Sequence, residues 1–391
     1  MKASSELGVI AGLLAWGVFA AAEALRRRTF LTGRARLRLG NCLCLLALVA
    51  VTGCSHLGPR TVPRDRFDYS HTLSESWKRQ NLLNIVKLRY LDPPIFVDVG
   101  QIVAGYSLET GMSAGVGTAN QGGSDAFSLG GSAKFTDRPT ITYTPLTGNK
   151  FIKSLMTPLP PDGVLFTVQA GWPASAVLFA GVAAMNGLKN QEATIDGVTP
   201  PDPDFLRALE LLRSIQLSGA VGIRIQQDAQ KQSATVLTFR AQDASEQTLA
   251  DCRELRGLLG LNPDASEFKV VFGATASNDR ELALQTRSML HIMNNIAAQV
   301  EIPPEDVAQG RTSPGFEAKG PSDDRLRLVR IHSSKSKPAD AYVTVPYRNH
   351  WFWIDDRDLK SKRTFAFLMM LFTLAETGEK ENLPVLTIPT Q

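Results

Sequence analysis

Few residues of this chain are typed and spaced for chemistry. The five histidines, His56, His71, His291, His332 and His350, are scattered, with no metal-ligand spacing and no Gly-x-Ser-x-Gly elbow beside them. Gly115-x-Gly117 lacks the third glycine of a dinucleotide loop. Trp351-Phe352-Trp353-Ile354-Asp355-Asp356-Arg357-Asp358 sets three aromatics before three carboxylates, which in another spacing would suit a divalent cation. Here the acids lie where a strand gives way to a helix, and Asp358 as an N-cap accounts for them. No nucleophile, base and acid can be assembled. The expectation is a non-enzymatic chain with no catalytic, cofactor-binding or metal residues and no cofactor.

The four cysteines say more. Cys42, Cys44 and Cys54 crowd the first part of the chain and Cys252 stands alone. Cys54 closes Val51-Thr52-Gly53-Cys54, behind an apolar run, Leu43 to Val51, and a basic segment with Arg34, Arg36 and Arg38. The order basic, apolar, small is that of a secretory signal. Removal of residues 1–53 would take Cys42 and Cys44 away and leave Cys252 without a disulfide partner. Cys252 then reads as a buried, inert thiol.

Charge follows the same boundary. Of 42 Lys/Arg and 38 Asp/Glu, the first 53 residues hold seven and two, leaving 35 and 36 and a net charge of −1. The basic balance of the full chain therefore gives no support for nucleic-acid binding, which needs a basic face on the folded domain.

Val51-Thr52-Gly53-Cys54 resembles the lipobox of Gram-negative bacterial lipoproteins. The resemblance implies that Cys54 is diacylated on sulfur and acylated on nitrogen, and that Ser55 after it directs the chain to the periplasmic face of the cell outer membrane. Two or more acyl chains make such attachment stable. A second apolar stretch, Gly8 to Leu25, lies upstream. It reads either as a membrane helix or, the reading we favour, as the product of a start placed upstream of a true one near Leu31. Arg357-Asp358-Leu359-Lys360-Ser361-Lys362-x-x-Phe365 and the tail Pro384–Pro389 look like bacterial lipoproteins of no known activity, a likeness that implies no function.

The elements that must carry these residues read as α+β, with mixed helices, antiparallel sheets and one long Gly/Ser-rich β-hairpin. The expected order is a leader (1–53), a tether (54–70), a helical region (71–216) with an inserted hairpin (95–145), an α+β domain (217–304), a linker loop (305–323), and a C-terminal hairpin with a buried helix (324–391). Helices are expected at Leu73–Arg89, Gly148–Met156, Pro161–Ala170, Ala174–Asn186, Asp204–Gln216, Ser245–Leu259, Asp279–Val300 and Leu359–Glu376. The last should be buried nearly all round. Strands are expected at Val221–Gln226, Thr235–Arg240, Phe268–Phe272, Leu326–Ile331, Ala341–Val345, Trp351–Ile354 and Val385–Ile388.

The hairpin at 102–136 is the sharpest functional feature. Tyr106, Leu108, Thr110, Met112, Ala114 and Val116 alternate with Ser107, Glu109, Gly111, Ser113, Gly115 and Gly117, and Phe127 to Thr136 alternate likewise. The first reading is a soluble hairpin that covers a core, or a Gly-rich flap. The second is a transmembrane hairpin, with each subunit of a ring giving one, because no strand edge can stay unpaired in lipid. The leading expectation for function is thus a lipid-anchored outer-membrane protein in envelope assembly, scaffolding or export. The alternative is an oligomeric pore or secretion-channel subunit giving one hairpin per protomer. Expected partners are the membrane through the anchor, further copies or other envelope proteins, and no nucleic acid.

Overall fold

The computed structural model describes residues 61–103, 105–117, 126–194, 197–227, 233–239, 244–314, 316 and 326–375. The leader, Val51, Thr52, Gly53, Cys54, Gly8–Leu25 and the strand expected at 385–388 lie outside them. The chain divides into two compact units, 1–76 and 77–391. The described part of the first, 61–76, is helical and largely exposed, with Arg64 paired to Asp65 at 3.5 Å.

Helix α1 spans Thr61–Arg89. It takes in residues 61–70, expected as tether, and starts well before Leu73. Pro63 falls in its first turn, where a missing N–H costs nothing. Its second half buries Leu82, Ile85 and Val86 completely.

The class is mixed α+β with mostly antiparallel sheets. Strands β1 (Phe96–Val103), β2 (Tyr106–Gly117), β3 (Ala126–Asp137) and β4 (Thr140–Leu146) form a projecting ribbon. Helices α2 (Asn149–Met156), α3 (Pro161–Gln169) and α4 (Ala174–Gly181) follow, then β5 (Val182–Met185) and β6 (Leu188–Lys189). A short hairpin, β7 (Glu192–Thr194) and β8 (Gly197–Thr199), leads to α5 (Pro203–Leu217), β9 (Val221–Gln227), β10 (Ser233–Phe239), α6 (Glu246–Leu258), β11 (Glu267–Phe272) and β12 (Glu281–Thr286). The central sheet has the order β6-β5-β12-β11-β10-β9, antiparallel except where β11 runs beside β12. It draws β5 and β6 from the segment 71–216 and the rest from 217–304, so one core spans both. Cys252 sits in that core, buried, and burial raises its thiol pKa.

Two expected helices proved to be part strand. Asp279–Val300 divides into β12 and α7 (Met289–Ala297), with the Ser288 hydroxyl accepting from the His291 amide as N-cap at 3.2 Å. Leu282, Ala283 and Leu284 are all buried, because β12 is central and covered on both faces. Such a strand reads as an unbroken apolar run, indistinguishable by period from a buried helix. Ala174–Asn186 stops being helical at Gly181. Asn186 (φ 45°) and Gly187 (φ 89°) then make the two-residue turn that pairs Met185 with Leu188. Asn-Gly is a strong hairpin signal and was present in the sequence to be read.

Helix α8 (Pro304–Ala308) occupies the start of the expected linker, and residues 317–323 lie outside the described set. The strand expected at Leu326–Ile331 begins only at β13 (His332–Ser334). Strands β14 (Ala341–Tyr347) and β15 (His350–Asp355) join through Arg348 (φ 45°) and Asn349 (φ 65°), giving the order β13-β15-β14. Helix α9 (Leu359–Ala375) buries Phe365, Phe367, Leu368, Leu371 and Phe372 but leaves Met370 half exposed. It is one-faced rather than buried all round.

Candidate functional site: a clamped ribbon

The ribbon is two antiparallel ladders that share one register. β1 pairs with β4 and β2 with β3, and every pair from Gln101↔Thr142 to Gly117↔Ala126 keeps one register. A single irregularity, between Val99 and Gln101, sets the register of the base, Phe96↔Leu146 to Val99↔Tyr143. At ~3.3 Å per residue, the 12-residue strands β2 and β3 each run about 40 Å.

Among the described residues, the base of the ribbon packs on the body. Phe96 is buried, its ring 5.4 Å from Phe151 and 5.3 Å from Phe372. Two side-chain amides of α1 bind the incoming strand as a neighbouring strand would. Asn84 holds both backbone groups of Ile95, and the Gln80 carbonyl oxygen accepts from the Val97 amide at 2.9 Å. Beyond the base, Phe135, Ile141 and Tyr143 are exposed, as are Gly130–Lys134. The faces of the ribbon differ. Tyr106 stacks on Phe135 at 6.1 Å on one, while Lys134 reaches Glu109 at 4.0 Å on the other.

The body builds polar clusters that the sequence did not signal. Arg287 is fully buried and donates to the carbonyls of Phe179, Ala180 and Gln191. Burial brings its pKa down to about 10. Glu192 lies 3.7 Å from Arg287 and 2.5 Å from His291. Burial pushes Glu192 up, but His291 and Arg287 outweigh it and hold the carboxyl below its ordinary range. Tyr90 donates to buried Asp306 at 2.6 Å, and Arg311 pairs with the same carboxylate at 2.9 Å. Burial and Asp306 raise the Tyr90 hydroxyl pKa strongly. Glu301 meets His332 at 2.9 Å and Arg327 at 3.4 Å. Arg287 ties distant backbone together, whereas the other clusters join side chain to side chain.

The acids of the 351–358 segment are engaged in the same way. Asp358 caps α9, accepting from the Ser361 amide at 3.0 Å and the Ser361 hydroxyl at 2.6 Å. Asp356 pairs with Lys362 at 2.7 Å, and Asp355 accepts from the Arg357 amide at 2.8 Å. Phe352 and Ile354 are core, whereas Trp353 packs on the other face against His332 at 4.7 Å. Among the described residues no group of three His, Cys, Asp or Glu could hold a metal ion. An apolar cavity of about 240 Å³ lies between the central sheet and α3, α4 and α5, lined by residues such as Leu165, Val168, Ala174, Leu212 and Leu237.

No protein family, curated protein or solved structure matches the chain. Among the described residues no helix is long and apolar enough to cross a membrane.

Proposed function

We propose that this chain is a lipid-anchored protein of the outer membrane, facing the periplasm, whose body holds the ribbon out as its working surface in envelope assembly or export. The observation that carries the reading is the clamp. Buried Asn84, half-buried Gln80 and the Phe96 cluster fix the base firmly, while Gly130–Phe135 of the arm beyond it are exposed. An isolated two-stranded hairpin is marginal in water, so a ribbon of this length is built for contact. The lipobox resemblance at Val51-Thr52-Gly53-Cys54 supplies the anchor.

Cell fractionation of the Cys54→Ala variant tests the anchor. The expected result is native protein in the outer-membrane fraction and the variant released in soluble form. Equal retention of both would remove Cys54 from the argument.

A further inference from the structure

We propose that the partner of the ribbon is the ribbon of a second copy, and that a ring of copies joined edge to edge closes a membrane-spanning β-barrel. This rests on the reading of the ribbon as the working surface of an envelope protein, and it names what that surface binds.

Length comes first. β2 and β3 are each 12 residues long and pair along their whole length. A tilted transmembrane strand needs about 9–11 residues. The ribbon is therefore long enough to cross the apolar layer with the base still on the body.

Composition by register comes second. One set of positions pairs Leu108 with Phe135, Thr110 with Ala133, Met112 with Gly131, Ala114 with Leu129, and Val116 with Phe127. The alternate set pairs Ser107 with Thr136, Glu109 with Lys134, Gly111 with Ser132, Ser113 with Gly130, and Gly115 with Ser128. Alternate positions of a strand share a face, so one set is mostly apolar, with Thr110 and Gly131 the exceptions, and the other is glycine, polar or charged. The only charges between Leu108 and Val116 and between Phe127 and Phe135 are Glu109 and Lys134. They stand opposite each other on the polar face. Lipid outside and water inside require this division. Aromatic residues fall at both ends of the apolar set, Tyr106 with Phe135 near the body and Phe127 at the tip, as at the two membrane interfaces of a barrel. Asp137 and Arg138 follow at once on the body side.

The edges come third. β2 and β3 form a two-stranded sheet, so among the described strands neither has a neighbour on its outer edge. Water can satisfy such edges and lipid cannot, and one ribbon cannot close on itself. In a ring, β2 of each copy meets β3 of the next. That contact is antiparallel, adds two strands per copy and keeps the strand number even. It is a head-to-tail interface that closes by rotation.

The test uses the full chain, extracted from membranes in mild detergent. Its mass is measured by light scattering and its conductance in planar bilayers. Two neighbouring substitutions separate the faces. Ala133→Lys puts a cation on the apolar set, and Ser132→Lys puts one on the polar set. The expected result is a ring of many copies with discrete conductance, an Ala133→Lys variant whose channel events fall about tenfold or more, and a Ser132→Lys variant that still conducts with altered ion preference. Far-ultraviolet circular dichroism checks that both bodies fold. A monomer, a ring without conductance, or an equal effect of the two substitutions would overturn the barrel. A monomer that Cys54→Ala releases from membranes would do so and leave the anchored reading standing. Wild-type chain absent from the membrane fraction would overturn both.

Discussion

Asn84 brackets Ile95. The Asn84 side-chain nitrogen donates to the Ile95 carbonyl at 2.8 Å, and its oxygen accepts from the Ile95 amide at 3.0 Å. One helical amide thus reproduces both hydrogen bonds of a strand neighbour, at the point where the chain leaves the body for the ribbon.

Asn84→Ala should therefore loosen the arm at its root. Both backbone groups of Ile95 lose a partner beside the core, at a loss of about 1–3 kcal/mol. Urea denaturation measures the loss. Limited proteolysis should show faster cutting in the ribbon than in the central sheet. Uniform acceleration over the whole chain would mean that Asn84 supports the body and not the arm.

Arg287→Ala should be the most damaging substitution of the body. It leaves three backbone carbonyls without their donor and Glu192 without its buried cation. Each buried carbonyl left without its donor costs about 1–3 kcal/mol. Arg287→Met, which fills the volume, should lose less, and thermal unfolding of the two variants compares them.

Tyr90→Phe removes one hydroxyl and exposes how the segment after α7 is held. Asp306, buried, keeps only Arg311 of its two side-chain partners. A loss of about 1–3 kcal/mol in chemical denaturation is expected.

Acid should weaken the body through Glu192 and Glu301. Burial raises each carboxyl, and the histidine and arginine beside it lower it further, so both lie below the ordinary glutamate range when folded. A carboxylate lowered by folding stabilises above its unfolded value, about 4.3, and loses that contribution as pH falls through its folded value. The destabilisation caused by Glu192→Gln or Glu301→Gln should be full at pH 6 and shrink below pH 4. Denaturation curves at both pH values decide it, and a constant difference would count against the pairs.

Ala174→Leu should raise the melting temperature. Ala174 borders the 240 Å³ apolar cavity, and a cavity-filling side chain commonly gains about 0.5–2 kcal/mol. A fall in melting temperature would show that the space is needed or already filled.

Much of the α+β pattern was legible because it is local. Alternation marked the ribbon strands, and Ser245 and Asp358 marked helix starts that the structure bears out by hydrogen bonds. What was not legible is tertiary. β12 looked helical because burial on both faces erases period. The first turns of α1 looked like tether because exposed helix needs no apolar period. That β1–β4 and β2–β3 share one register could not be read, since Arg138-Pro139 looks like an end. Arg287 gave no signal, because three carbonyls distant in sequence create its site. Cys54, the residue that speaks most plainly in the sequence, lies outside the described residues.

The central sheet has a consequence in time. Asn186 and Ala283, which bond side chain to backbone at 2.6 Å, stand 97 residues apart, and β5 cannot join β12 until everything between has been synthesised and gathered. Such long-range pairing slows folding, whereas a hairpin closes in about 1–10 μs. The ribbon has only its own two legs to bring together. Nothing in the topology delays it, so its legs can meet while the body that steadies them is still an open chain. Pulse-labelled hydrogen exchange would then find amide protection at Leu282–Thr286 among the last to appear.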